Sequence, residues 1–135
     1  MTSPKKRPLK NPSELLARKI VELAASKKAE EITLLDLHKL TSITDFFIIC
    51  TGNSDVQVKA ISDAIVEGMK SEVKPWHIEG RENLRWVLLD FVDVVVHIFH
   101  REERDFYQLE RLWADAPMEV IESEDTPVSA TSISE

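Results

Sequence analysis

The chain has 135 residues, 43% of them hydrophobic and 30% charged, with a formal net charge of -7 at pH 7. That length supports one domain with a sizeable core and is short for two. No run approaches the roughly 18 apolar residues a membrane span requires, so the composition predicts a soluble globular protein without a membrane partner.

The charge is unevenly spread. Residues 1–10 carry Lys5, Lys6, Arg7 and Lys10, whereas residues 114–135 carry six acids and no base. The body between them is net acidic, a poor match for naked nucleic acid, whose binding rests on phosphate neutralisation. No specific nucleic-acid partner is expected, and the basic arm reads as a short solvated tail. It is followed by no apolar signal core and lacks the pattern of a transit peptide, which predicts a cytoplasmic address. The single cysteine, Cys50, lies in the apolar run FFIIC. It reads as a small buried hydrophobe in a reducing compartment.

In chain order, Asn11 and Pro12 begin a helix to about Ser26, with Asn11 as N-cap, Glu14 completing a box-like pair, and Leu16, Ile20, Leu23 and Ala24 on one face. Residues 31–37 (EITLLDL) read as a strand. Residues 46–51 (FFIICT) form a continuous apolar run, the pattern of a central strand covered on both faces. Gly52 and Asn53 then turn into a helix capped by Ser54 and Gln57 and reaching about Lys70. Residues 73–79 read as a short strand that Pro75 pushes to an edge.

Residues 86–99 (WVLLDFVDVVVHIF) hold the densest β-branched and apolar text and read as two strands joined by a very short turn. Alternation places Trp86, Leu88 and Asp90 on one face and Val87 and Leu89 on the other. A last helix is predicted from residue 102 to about 113, with Phe106, Leu109 and Trp113 on its inner face. Beyond Pro117 the chain is rich in Ser, Thr, Glu and Asp, and no structure is assigned to it.

The chemistry-bearing patterns are sparse. Gly52, Asn53 and Ser54 at a helix mouth suggest a phosphate cradle, but turn and cap chemistry account for each of them. A nucleotidyltransferase needs a D-x-D pair to hold metal. Here Asp90 and Asp93 stand three apart across a turn, so metal chemistry is unsupported. His38, His77, His97 and His100 show no zinc-ligand spacing, and no nucleophile has a catalytic setting. No cofactor is therefore expected.

Taken together, ITDFFIICTGNSDVQVKAI, HIEG, WVLLDFVDVVVHIF and ERDFYQLERLW resemble the ribosomal silencing factor family, also called iojap-related, over residues 13–116. The resemblance implies a small cytoplasmic α/β protein of nucleotidyltransferase-like topology that lacks catalytic metal carboxylates. It further implies a repressor that binds the large ribosomal subunit through large-subunit ribosomal protein fourteen and blocks joining of the small subunit. The family usually carries glycine in the hairpin turn where this chain has Val92. A β-branched residue resists positive φ, so another turn type or a bulge is expected, leaving Asp93 less firmly placed than Asp90.

The expectation is a single α/β domain, residues 11–116, with a mixed sheet of about five strands and helices packed on it. Residues 1–10 form a basic arm and 117–135 an acidic tail without structure. The expected partner-binding residues are Trp86 and Leu88 as apolar anchors, Glu79, Asp90 and Asp93 as an acidic rim, and His97. A homodimer through the same patch is a further expectation. The alternative is a nucleotidyltransferase-like enzyme or nucleotide-binding protein using the turn at Gly52.

Overall fold

The computed structural model describes residues 11–122. Six strands form one mixed sheet: β1 Glu30–Asp36, β2 Phe46–Gly52, β3 His77–Glu79, β4 Trp86–Asp90, β5 Val94–His100 and β6 Met118–Val120. Their order is β3-β4-β5-β2-β1-β6, parallel only between β2 and β5. The apolar run of β2 is therefore central, as expected, and β3 lies at an edge just after Pro75.

Two helices cover one face. Helix α1, Pro12–Ser26, starts where the Asn11 side chain accepts the Glu14 amide. Helix α2, Asp55–Met69, starts where Ser54 Oγ accepts the Gln57 amide at 3.1 Å. Each cap satisfies an amide that has no partner within its helix. Ile20, Ala24, Ile61, Ile65 and Met69 meet Ile48, Val87, Leu89, Val96 and Ile98 of the sheet, and all are buried. Each large aliphatic side chain removed from water there contributes about 1.5–3 kcal/mol before its entropy cost. This face explains why Val87 and Leu89 alternate with half-buried Trp86, Leu88 and Asp90.

The opposite face is only partly covered. Helix α3, Arg101–Tyr107, is followed by a 3-10 turn, Leu109–Trp113. The continuous helix expected over 102–113 is interrupted because Gln108 adopts left-handed geometry, φ 47° and ψ 52°. A polar anchor dictates the break. Arg104, not Phe106, is the buried residue of α3: its guanidinium donates to Thr51 Oγ1 (2.9 Å), Thr33 Oγ1 (3.2 Å), the Glu31 carbonyl (3.0 Å) and Glu110. Phe106 is left 79% exposed, and the turn redirects Leu109 into a second small core with Leu35, Leu37, Ile49, Phe99 and Ala116.

The ordered chain also passes residue 116. Met118–Val120 forms β6 on the outer edge of β1, pairing Thr33 with Val120 and Leu35 with Met118. Its side chains are exposed, so apolar patterning gave no signal. Backbone pairing holds it instead, closing an edge that would otherwise present unpaired groups, and Arg18 grips Glu119 through two hydrogen bonds of 2.9 and 2.7 Å. The basic arm, residues 1–10, and the tail from 123 onward lie outside the described residues.

Candidate functional site

Strand register gathers most of the expected contact residues on the partly covered face. Residues opposite each other in a ladder share a face. One row runs Glu79, Leu88, His97, Ile49, and the next runs His77, Asp90, Val95, Phe47. Trp86 lies opposite Phe99 one row further. Trp86, Leu88, Asp90, Val95 and Phe47 are half-buried, and Glu79 and His77 are exposed at the β3 edge.

Aromatic rings organise this face. His97 stands 4.5 Å from Phe47, and Trp86 lies 4.8 Å from both Phe99 and Tyr107, measured between ring centroids. Trp113 closes edge-on against Phe47 at 5.8 Å. Tilted and edge arrangements at these distances fix ring orientation as well as burying area. Tyr107, Phe47 and Trp113 thus belong to this face, although alternation along β4 does not mark them. In Phe47 the signal was masked by an apolar run that looked covered on both faces.

His97, expected among the contact residues, lies below the others. It is 4% exposed and sits beneath the surface, accepting the Trp86 indole N–H at Nδ1 (3.1 Å). Burial lowers its pKa from 6.5 to about 4, so the ring is neutral at pH 7. Asp90 holds the β4–β5 turn by accepting the Val92 amide (2.8 Å). Val92 takes φ +75° despite its branched side chain, while the Asp93 amide donates to the Phe91 carbonyl (2.9 Å). Val92 therefore takes the positive φ that glycine favours. Asp93 lines a cleft with Pro12, Ser13 and Leu16 on the α1 side, apart from the aromatic face.

The turn after β2 is filled by its own side chains. Gln57 Oε1 accepts the Asn53 amide (2.7 Å), and Asn53 is held between Glu30 (2.9 Å) and Arg101 (3.3 Å). A Cβ on Gly52 would lie 2.8 Å from Val58 Cγ2, so helix packing accounts for the glycine. Among the described residues, the one group of three potential ligand side chains with atoms all within 4.8 Å of one another is His100, Glu102 and Glu103. The Arg85 guanidinium already serves both carboxylates, at 2.7 and 3.1 Å. No described helix is long and apolar enough to cross a membrane.

The family model for "Ribosomal silencing factor during starvation" matches residues 10–135. The chain belongs to the ribosomal silencing factor family. It is 43% identical to ribosomal silencing factor RsfS of Bacillus subtilis over 106 residues, 75% of this chain and 90% of the relative. It is 40% identical to the chloroplastic protein Iojap of Zea mays over 103 residues, 75% of this chain and 45% of that longer protein. A crystal structure of a Chromobacterium violaceum protein superposes with a TM-score of 0.75 at 32% identity, covering 85% of this chain and 98% of that one. The mixed sheet flanked by helices is thus the family's fold, and the Bacillus subtilis relative is named a silencing factor.

Proposed function

We propose that this protein represses translation in the cytoplasm by binding the large ribosomal subunit through a basic ribosomal protein, large-subunit protein fourteen, and sterically blocking small-subunit joining. The observation that supports this reading is the partly covered sheet face, where Trp86 and Leu88 stand half-exposed between the acidic groups Glu79 and Asp90. Aromatic anchors with a charged rim are the usual composition of a binding surface, and an acidic rim favours a basic protein over the surrounding RNA. Asp93 supports the turn from the other side and is not part of this surface; His97 acts beneath it by orienting Trp86. The mechanism is occlusion and requires no bond-making. A second copy of the chain competes for the same face, giving a homodimer that opposes ribosome binding.

The test is sucrose-gradient sedimentation of purified subunits with the protein added, alongside Trp86→Ala and Leu88→Lys. The parent lowers the yield of joined ribosomes. Truncating a central tryptophan costs about 2 kcal/mol or more, roughly thirtyfold in affinity, so Trp86→Ala loses the effect at equal concentration. Leu88→Lys, at a half-exposed position, provides a second variant whose fold is readily kept. Unchanged joining with the parent, or full activity in both folded variants, defeats the proposal.

A further inference from the structure

Helix α3 stands as a wall beside the docking face and holds Trp86 from two sides. At its C-terminal end the Tyr107 ring lies 4.8 Å from the Trp86 ring, inclined at 47°. In its first turn Glu102 and Glu103 accept from the guanidinium of Arg85, the residue before Trp86, at 2.7 and 3.1 Å. The amide of the capping residue His100 donates to the Arg85 carbonyl (2.9 Å), so the start of the helix is tied to the same stretch of backbone. A further restraint on Trp86, its indole bond to His97, comes from the sheet.

A helix of seven residues does not hold itself in place, and this one ends on exposed Phe106 and half-exposed Tyr107. It depends on a tertiary anchor, which Arg104 supplies. Arg104 is 5% exposed and stands three residues before Tyr107, its neighbour on the helix surface. Its donors turn inward, to Thr33 on β1, Thr51 on β2 and the Glu31 carbonyl. Buried in this way, Arg104 acts on a docking partner only through what it positions.

We propose that Arg104 is a positioning residue for docking: it fixes α3 so that Tyr107 and the Arg85 pairings hold the Trp86 ring in one orientation before the partner arrives. A half-exposed anchor that must be ordered on binding loses its side-chain freedom at that moment, whereas an anchor already held does not. The inference rests on the docking face proposed above and adds what prepares it.

The experiment is a double-mutant cycle. The full-length parent, Arg104→Met, Trp86→Ala and the double variant are compared for binding to purified large subunits, with urea unfolding used to correct each for its folded fraction. Arg104→Met is expected to bind about three- to tenfold more weakly where Trp86 is present, and to add nothing once Trp86 is alanine. Heteronuclear NMR of the free protein supplies a second readout. The Trp86 indole N–H signal, assigned by its loss in Trp86→Ala, is expected to shift or broaden in Arg104→Met, while that of exposed Trp76 stays in place. Tyr107→Ala, at a half-exposed position, is expected to reproduce both effects and keeps the test valid where Arg104→Met folds poorly. An equal loss from Arg104→Met in both backgrounds, or weaker binding with an unchanged Trp86 indole signal, overturns the positioning role and leaves the docking face standing. So does parent-like binding by folded Arg104→Met and Tyr107→Ala. Parent-like binding by folded Trp86→Ala overturns both.

Discussion

The indole N–H of Trp86 donates to His97 Nδ1 at 3.1 Å, joining a half-exposed anchor to a buried imidazole on the next strand. Accepting that bond leaves the ring proton on Nε2, which is buried and has no partner. The arrangement tolerates only neutral His97. A proton on Nδ1 would oppose two donors and place a charge against Phe47 and Phe99.

Stability is accordingly expected to fall in acid. Burial holds the His97 pKa at about 4 against 6.5 ordinarily, so between these values the unfolded chain binds a proton that the folded chain does not. The contribution is fully present above pH 6.5 and is lost as pH falls toward 4, amounting to about 3 kcal/mol. Urea unfolding of the parent and of His97→Gln across that window measures it as the change in their difference. Parallel pH profiles would show that His97 is not the group responsible.

Arg104 is expected to be the main tether of the α3 wall. Replacing it with methionine removes the donors to Thr33, Thr51 and the Glu31 carbonyl and strips half-buried Glu110 of its cation. Deleting one partner of so buried a pair costs about 3 kcal/mol or more. Hydrogen exchange should rise first in the Arg101–Tyr107 helix and the Leu109–Trp113 turn, with the α1 and α2 core protected. Uniform loss of protection over the whole chain would argue that Arg104 supports the global fold and not this wall.

Arg104 also marks the limit of what side-chain patterning reveals. Capped helices with apolar stripes, such as those begun by Asn11 and Ser54, were legible because propensity, cap and burial agree there. The alternation at Trp86, Leu88 and Asp90 gave the open face for the same reason. Helical spacing of Phe106, Leu109 and Trp113 misled, because a buried guanidinium competes for the interior and only the fold shows Thr33 and Thr51 waiting for it. The β6 strand was illegible for a different reason: its exposed Met118 and Val120 carry no burial pattern, and its stability comes from main-chain pairing with β1. Asp93 lines the cleft beside α1 and not the aromatic face, because one residue across a tight turn changes the face on which a side chain emerges.

The last expectation concerns Val92, which holds φ +75° while 52% exposed at the β4–β5 turn. An L-residue in that region costs about 1–2 kcal/mol, and branching at Cβ raises the cost. The turn persists because the Phe91 amide donates to the Val94 carbonyl (2.8 Å), Asp93 donates back to Phe91, and Asp90 accepts from Val92 itself. Val92→Gly keeps all three bonds, since they use backbone and Asp90 atoms, and gives up no core contact. Glycine's greater freedom in the unfolded chain offsets about 0.5–1 kcal/mol of the relief. A net gain of about 1 kcal/mol is expected, read as a higher urea midpoint with an unchanged denaturant slope. Asp90→Ala should move the midpoint the other way by removing the acceptor that holds Val92 in place. A lower midpoint in Val92→Gly would mean that the valine methyls contribute more to this turn than its backbone strain removes.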